Sequence, residues 1–173
     1  MSLVIREAVS AHAPLFPAIE ASAGRAFLAI PGFAWIASDD VAPADTYGPL
    51  VDAGTVWEAI DSQATPVGFV ACEQFEDRLH IWELAVLESH QRQGLGARLM
   101  TAAAEGARTR GLAALTLTTF ATVPWNRPFY ARLGYAVVSE VGAMAEPLAA
   151  CLAQERGRGL PDRCAMLLPL QRP

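Results

Sequence analysis

The sequence predicts a mixed α/β fold, a sheet with helices on its faces. Three observations carry this. Three strand-like runs, Thr55–Ile60, Pro66–Glu73 and Arg78–Leu87, follow one another with short polar turns between them. A strongly periodic helix, Gly94–Arg110, comes next. An alternating, β-branched run, Ala114–Phe120, comes directly after it. Strand, helix, strand in that order favours a right-handed crossover and locally parallel pairing, while the hairpins around it favour antiparallel pairing.

The elements follow in order. Leu3–Arg6 is a β-prone run suited to a sheet edge. Ala11–Ala29 is rich in Ala, Leu, Phe and Ile and reads as a helix with Pro14 in its first turn and Pro31-Gly32 as its stop. Phe33–Pro49 holds Pro43, Gly48, Pro49 and an Asp39-Asp40 pair, and reads as a short helix plus loops. Asp61-Ser62-Gln63 and Glu76-Asp77 are the turns between the three strands. Within Gly94–Arg110, Leu95, Leu99, Ala102, Ala103 and Gly106 form the apolar side, and Gly111 is the stop. Pro124–Leu133 reads as a short helix closed by Gly134, and Tyr135–Val141 as a strand. A helix is expected around Glu146–Glu155, and Arg163–Leu170 is the last strand, its end limited by Pro169.

A chain of 173 residues fits one domain spanning 1–173. Its 13 basic and 18 acidic side chains leave a net charge of -5, which argues against nucleic acid or an anionic membrane as partner and suits an amine-bearing substrate. Cys72, Cys151 and Cys164 are odd in number and lack metal-ligand spacing. No disulfide framework and no metal site is implied, and a reducing cytoplasm fits. Met1–Ser10 lacks the basic start and apolar run of a signal peptide, and no apolar stretch approaches the roughly 20 residues that span a bilayer.

The segment that carries chemistry is Gln91-Arg92-Gln93-Gly94-Leu95-Gly96, between the Arg78–Leu87 strand and the helix. Glycines let backbone N–H groups approach a ligand without a Cβ in the way. The helix N-terminus that follows adds orphan donors and the positive end of its dipole. Together they make an anion site suited to a pyrophosphate, with the cation of Arg92 beside it. On spacing alone, a plain strand-to-helix turn with two glycines explains the segment equally well. A P-loop is excluded because no Gly-Lys-Ser/Thr follows, and a dinucleotide fingerprint fails at Leu99, where its third glycine belongs.

Gln91, Gly94 and Gly96 resemble motif A of the GCN5-related N-acetyltransferases (GNAT), Q/R-x-x-G-x-G/A. Leu84-Ala85-Val86 looks like the end of that family's fourth strand. Downstream, Asn126 and Phe129-Tyr130-Ala131-Arg132-Leu133-Gly134-Tyr135 resemble its motif B. The two motifs stand in the family's order, separated by a helix and a strand. The resemblance implies a mostly antiparallel sheet of six to seven strands, splayed centrally, with helices on both faces, and an acetyl-CoA-dependent N-acetyltransferase.

By that resemblance, backbone groups of Leu84, Ala85 and Val86 pair with the pantetheine arm. Those from Gln91 through Arg92, Gln93, Gly94, Leu95 and Gly96 to Ala97 hold the pyrophosphate. Asn126 contacts the pantetheine side and Phe129 packs near the cofactor. Tyr130 takes the place of the tyrosine that protonates the departing thiolate, a role that a phenol of pKa about 10 can fill. An amine must lose a proton before it attacks. Glu83 and His80 are the candidate bases; strand alternation puts them on opposite faces unless a bulge intervenes, and the family's strand carries one. Glu83 lies in an otherwise apolar run, where a carboxylate is costly without a task or partner. Glu58 and Glu73, on neighbouring strands, are further outsiders. A backbone N–H of Leu84 or Ala85 meets the developing oxyanion.

Phe27, Phe33, Trp35, Trp57 and Trp125 are candidate walls of the acceptor pocket, with ordinary core packing as the alternative for each. Asp39 and Asp40 could attract the amine. The resemblance implies a small-molecule or peptide amine as acceptor, and relatives often form homodimers. Two other readings stay open: a CoA-binding module without catalysis, and transfer of another acyl group or to a hydroxyl.

Overall fold

The computed structural model describes residues 3–38, 41–138, 147–160 and 162–170. The candidate Asp39 and Asp40 therefore lie outside the described residues. Among the described residues seven strands form: β1 (Val4–Glu7), β2 (Val56–Ile60), β3 (Pro66–Phe75), β4 (Arg78–Val86), β5 (Ala114–Phe120), β6 (Ala136–Val137) and β7 (Arg163–Pro169). They hydrogen-bond in the order β1-β2-β3-β4-β5-β7-β6, so the first run of the chain is a sheet edge. Pairing is antiparallel for β1 with β2, β2 with β3, β5 with β7 and β6 with β7. It is parallel for β4 with β5, from Arg78 opposite Ala114 to Ile81 opposite Leu117. The helix between β4 and β5 supplies the crossover that a parallel pair requires. The strand that the sequence places at Tyr135–Val141 is observed as the two residues of β6, and its end from 139 lies outside the described residues.

Five α-helices lie among the described residues: α1 (Phe16–Gly24), α2 (Ala44–Asp52), α3 (Leu95–Thr109), α4 (Asn126–Arg132) and α5 (Leu148–Gly157). The single helix expected over Ala11–Ala29 is instead a 3₁₀ turn at Ser10–Leu15, then α1, then a second 3₁₀ turn at Arg25–Ala29. Proline explains the late start: Pro14 sits in the 3₁₀ turn and Pro17 takes the first turn of α1, where a missing N–H costs nothing. Phe33–Pro49 resolves into a 3₁₀ turn at Ala34–Ser38 and the start of α2. In α3 the buried stripe is Leu95, Leu99, Met100, Ala103, Ala104 and Ala107, while Ala102 and Gly106 are half-buried. The apolar face is thus turned one position from the one the sequence suggests. Among the described residues, no helix is long and apolar enough to cross a membrane.

The chain forms two compact units, residues 1–72 with 83–103, and residues 73–82 with 104–173. The first is built on an aromatic cluster. Phe16 stacks on Phe69 at 4.4 Å between ring centroids, and Tyr47 meets both rings edge-on, at 5.7 and 5.1 Å. Ile19, Val51, Val56, Ala71 and Ala85 complete that core. Gly68 is needed there for closeness: a Cβ would stand 3.0 Å from the Ala85 carbonyl oxygen and 3.1 Å from a Val86 methyl. In the second unit, Leu148 and Leu152 of α5 pack on Ala165 of β7.

Candidate active site

The loop from Leu87 to Gly94 is shaped by its backbone. Arg92 and Gly94 have φ of 58° and 78°, the left-handed region that glycine tolerates and arginine pays for in strain. A Cβ on Gly94 would meet no heavy atom within 4 Å, so the conformation, not crowding, demands glycine, and the space outside it is open. The loop delivers the chain into the N-terminus of the 15-residue α3. Gln91 does more than the sequence suggests: its side-chain Nε2 donates to the Val86 carbonyl at 3.1 Å, tying the loop to the end of β4. Gln93 donates to the Ser89 carbonyl at 3.4 Å, and Arg92 is exposed.

Of the β4 residues singled out, Ala85 and Val86 are buried, and Glu83 and Leu84 are half-buried. Ala85 belongs to the aromatic cluster. Strand alternation assigns Glu83, two residues earlier, to the same face unless a bulge intervenes. Tyr47 is 2% exposed and its Oη donates to Glu20 Oε2 at 2.5 Å. Burial, the hydrogen bond to Glu20 and then the charges of Glu83 and Glu20 push the Tyr47 phenol far above its ordinary range, so it stays protonated. Phe27 and Phe33 are half-buried and Trp35 is exposed, its indole N–H donating to the Gly32 carbonyl at 3.1 Å. Trp57, by contrast, is a buried residue of β2. Glu58 is fully buried and held by Arg6 Nε at 2.9 Å and His12 Nδ1 at 2.8 Å.

In the second unit His80 is 1% exposed. Its Nδ1 stands 2.9 Å from Thr116 Oγ1 and its Nε2 faces Cys151 Sγ at 3.8 Å. Burial lowers its pKa to about 4, against the opposing charge of Glu155, so the ring is neutral at physiological pH. Both ring nitrogens face neighbours, which suits a structural group better than a base. Glu73 accepts from the Trp82 indole at 2.9 Å. Asn126 opens α4, directly after the exposed Trp125. Tyr130 is half-buried, its ring 5.0 Å from Phe129 and 5.9 Å from Tyr135. Its carbonyl accepts the amides of Leu133 and Tyr135, which fixes the turn out of α4.

A family profile described as the acetyltransferase (GNAT) family matches residues 26–135. The chain belongs to that family. It is an acetyltransferase with acetyl-CoA as donor. Solved structures share its fold. A PaiA N-acetyltransferase from Thermoplasma acidophilum, in complex with coenzyme A, is 13% identical over 98% of this chain and 100% of its own, with a TM-score of 0.73. A ribosomal-protein-alanine N-acetyltransferase from Escherichia coli is 18% identical over 99% and 96%, with a TM-score of 0.68. An N-acetylglutamate synthase from Neisseria gonorrhoeae, complexed with coenzyme A and N-acetyl-glutamate, is 19% identical over 99% of this chain but 36% of its own, with a TM-score of 0.69.

Two residues of this acetyltransferase escaped the sequence reading, Glu20 and Tyr47. The signal was present for Glu20: like Glu83 it is a carboxylate in an apolar run, between Phe16, Ile19 and Ala23. Tyr47 was hidden in a stretch whose prolines obscure α2.

Proposed function

We propose that the chain transfers the acetyl group of acetyl-CoA directly to the amine of a small molecule or peptide, with the whole chain acting as one catalytic domain. The observation that carries this is the loop before α3, where left-handed φ values at Arg92 and Gly94 lead into a helix N-terminus with open space outside Gly94. Such a loop suits a pyrophosphate. Backbone N–H groups from Gln91 to Ala97 hold that anion, and Gln91 keeps the loop in register with β4 through Val86. The backbone of Leu84, Ala85 and Val86 binds the pantetheine arm, and the Leu84 or Ala85 N–H faces the thioester oxygen. Asn126 and Phe129 complete the donor side.

Acetyl-CoA supplies an activated thioester. Glu83 takes the proton from the incoming ammonium, directly or through a water. Tyr130 gives its phenolic proton to the departing thiolate. His80 is the second choice of base, behind Glu83 because its ring is enclosed. Phe27, Phe33, Trp35 and Trp125 line the acceptor side. Trp57 is the weakest member of that set, because it is buried. The profile spans residues 26–135 and so draws on both compact units, which supports one catalytic domain. The odd number of cysteines, without metal-ligand spacing, supports a reducing, cytoplasmic setting.

The test is an amine panel with acetyl-CoA, following CoA thiol release. Tyr130→Phe is expected to lower kcat by about 10² to 10⁴ while leaving the CoA Kd in place, the range for losing one proton donor. Glu83→Gln should remove the acidic limb, the fall on the low-pH side, from the kcat/KM profile. An unchanged pH profile in Glu83→Gln removes Glu83 from the base role.

A further inference from the structure

We propose that Trp82 and Glu73 form a preorganised cation subsite that holds a positively charged group of the acceptor, an alkylammonium or a guanidinium distinct from the amine that is acetylated. The inference rests on the proposed acetylation of an amine and adds what else the acceptor carries.

Trp82 is out of place for an ordinary sheet residue. β4 stands fourth in the order of seven strands, so it is no edge, and Leu79, His80 and Ile81 just before Trp82 are buried. Trp82 itself is 45% exposed. An exposed side chain normally turns freely, but this one is fixed by three neighbours. Its indole N–H donates to Glu73 Oε2 at 2.9 Å. Its ring meets His80 edge-on at 4.6 Å between centroids and Phe75 at 6.4 Å. All four residues lie on β3 and β4 within the second compact unit. A large ring held rigid at the surface has given up its rotamer freedom before any ligand arrives, which favours binding.

The electrostatics select a cation. The face of an indole is electron-rich and attracts ammonium and guanidinium groups. The Glu73 carboxylate stands at the edge of that ring, and the bond to Trp82 is its one polar contact among the described residues. Arg78 is paired with Asp77 at 3.1 Å and Arg163 with Glu155 at 2.7 Å, so neither arginine is the counter-ion of Glu73. Glu76, exposed in the turn between the two strands, adds negative charge. His80 is neutral at physiological pH and brings no repulsion to the ring it touches. The group held here is not the one that reacts: these contacts favour a protonated nitrogen, whereas an amine must lose its proton to attack. The acceptor therefore carries a second charge.

The experiment pairs binding with kinetics. Tetramethylammonium, which cannot be acetylated on nitrogen, is titrated into CoA-saturated protein with isotope-labelled indole nitrogens. The indole signal that Trp82→Leu removes should shift saturably. Glu73→Gln keeps an acceptor for the indole N–H, loses the charge, and should weaken this binding severalfold. In transfer assays, diaminobutane is compared with butylamine, and lysinamide with norleucinamide. Each doubly charged amine should exceed its partner in kcat/KM by about tenfold, the combined yield of a cation–π contact and an exposed ion pair. Trp82→Leu and Glu73→Gln should each cut that ratio severalfold, and Trp82→Phe, which keeps a ring without the N–H, should give an intermediate value. Melting temperatures separate these effects from unfolding. A larger ratio for diaminobutane supports the site with a free diamine, and a larger one for lysinamide supports it with a charged residue of a peptide. A ratio near one, a ratio that the variants keep, or an unmoved Trp82 signal overturns the inference and leaves amine acetylation standing. A saturable shift with no acetylation of any amine overturns the proposed function, and with it the acceptor role of this site.

Discussion

Replacing His80 with asparagine should make the fold less sensitive to acid, because His80 is a base that the folded chain refuses to protonate. The ring is buried, with Nδ1 against Thr116 Oγ1 at 2.9 Å and Nε2 against Cys151. Burial takes its pKa from 6.5 to about 4. Below the unfolded value, the unfolded chain binds a proton that the folded chain does not. Folding stability is therefore full above 6.5 and falls as pH drops towards the folded value. At 1.36 kcal/mol per pKa unit the complete loss is about 3 kcal/mol, of which about 2 kcal/mol falls between about pH 7 and about pH 5. Asparagine can keep a hydrogen bond near the Nδ1 position and does not titrate. Urea unfolding of both chains at the two pH values measures the difference, which cancels the carboxylates that both share. Wild type should lose about 2 kcal/mol more than the variant over that interval. Equal losses would refute the argument and mean that the imidazolium is accommodated in the fold.

Two further substitutions test the glycines. Gly68→Ala places a Cβ 3.0 Å from a backbone oxygen, a neighbour that cannot swing away, and should cost about 1 to 3 kcal/mol in urea unfolding. Gly94→Ala meets no such neighbour, so its stability cost should be only the roughly 1 to 2 kcal/mol of a left-handed backbone. Its CoA Kd, measured by calorimetry, should rise about tenfold as the loop relaxes to a conformation that misdirects its N–H groups. An unchanged Kd would remove Gly94 from the donor site.

What the sequence revealed depends on how far apart the cooperating residues lie. Most strands and α3 were legible because periodicity is local: Ala114–Phe120 was located to the residue and α3 to within one residue at each end, whereas the strand expected at Tyr135–Val141 is the two residues of β6. The break of Ala11–Ala29 into three pieces was not legible, because composition alone did not show that prolines at 14 and 17 would delay α1 to Phe16. The donor loop was legible for a similar reason. Its work is done by backbone, and glycines two apart before a helix announce a backbone conformation. The structure added the Gln91 side chain, whose link to Val86 spans five residues. The Tyr47–Glu20 hydrogen bond was not legible because it is made by side chains 27 residues apart, which no local pattern joins. The sequence favours Glu83 over His80 as base, and the burial of His80 between Thr116 and Cys151 adds a second reason that only the structure supplies.

The division of labour also bears on how such a chain changes its acceptor. The donor loop is constrained by φ at Arg92 and Gly94 and by the Gln91 tie, so most replacements there disturb the conformation itself. The 25–38 segment is constrained far less. None of its residues is buried, and the cluster formed by Phe16, Tyr47 and Phe69 stands without it. Substitutions at Leu28 or Trp35 remove no core contact, and surface changes of that kind usually fall within about 0.5 kcal/mol of neutral. If the proposed acceptor side is right, acceptor preference can drift on this segment while the fold and the loop before α3 persist. That is the physical reason a chain can keep its donor signature and leave its acceptor unreadable.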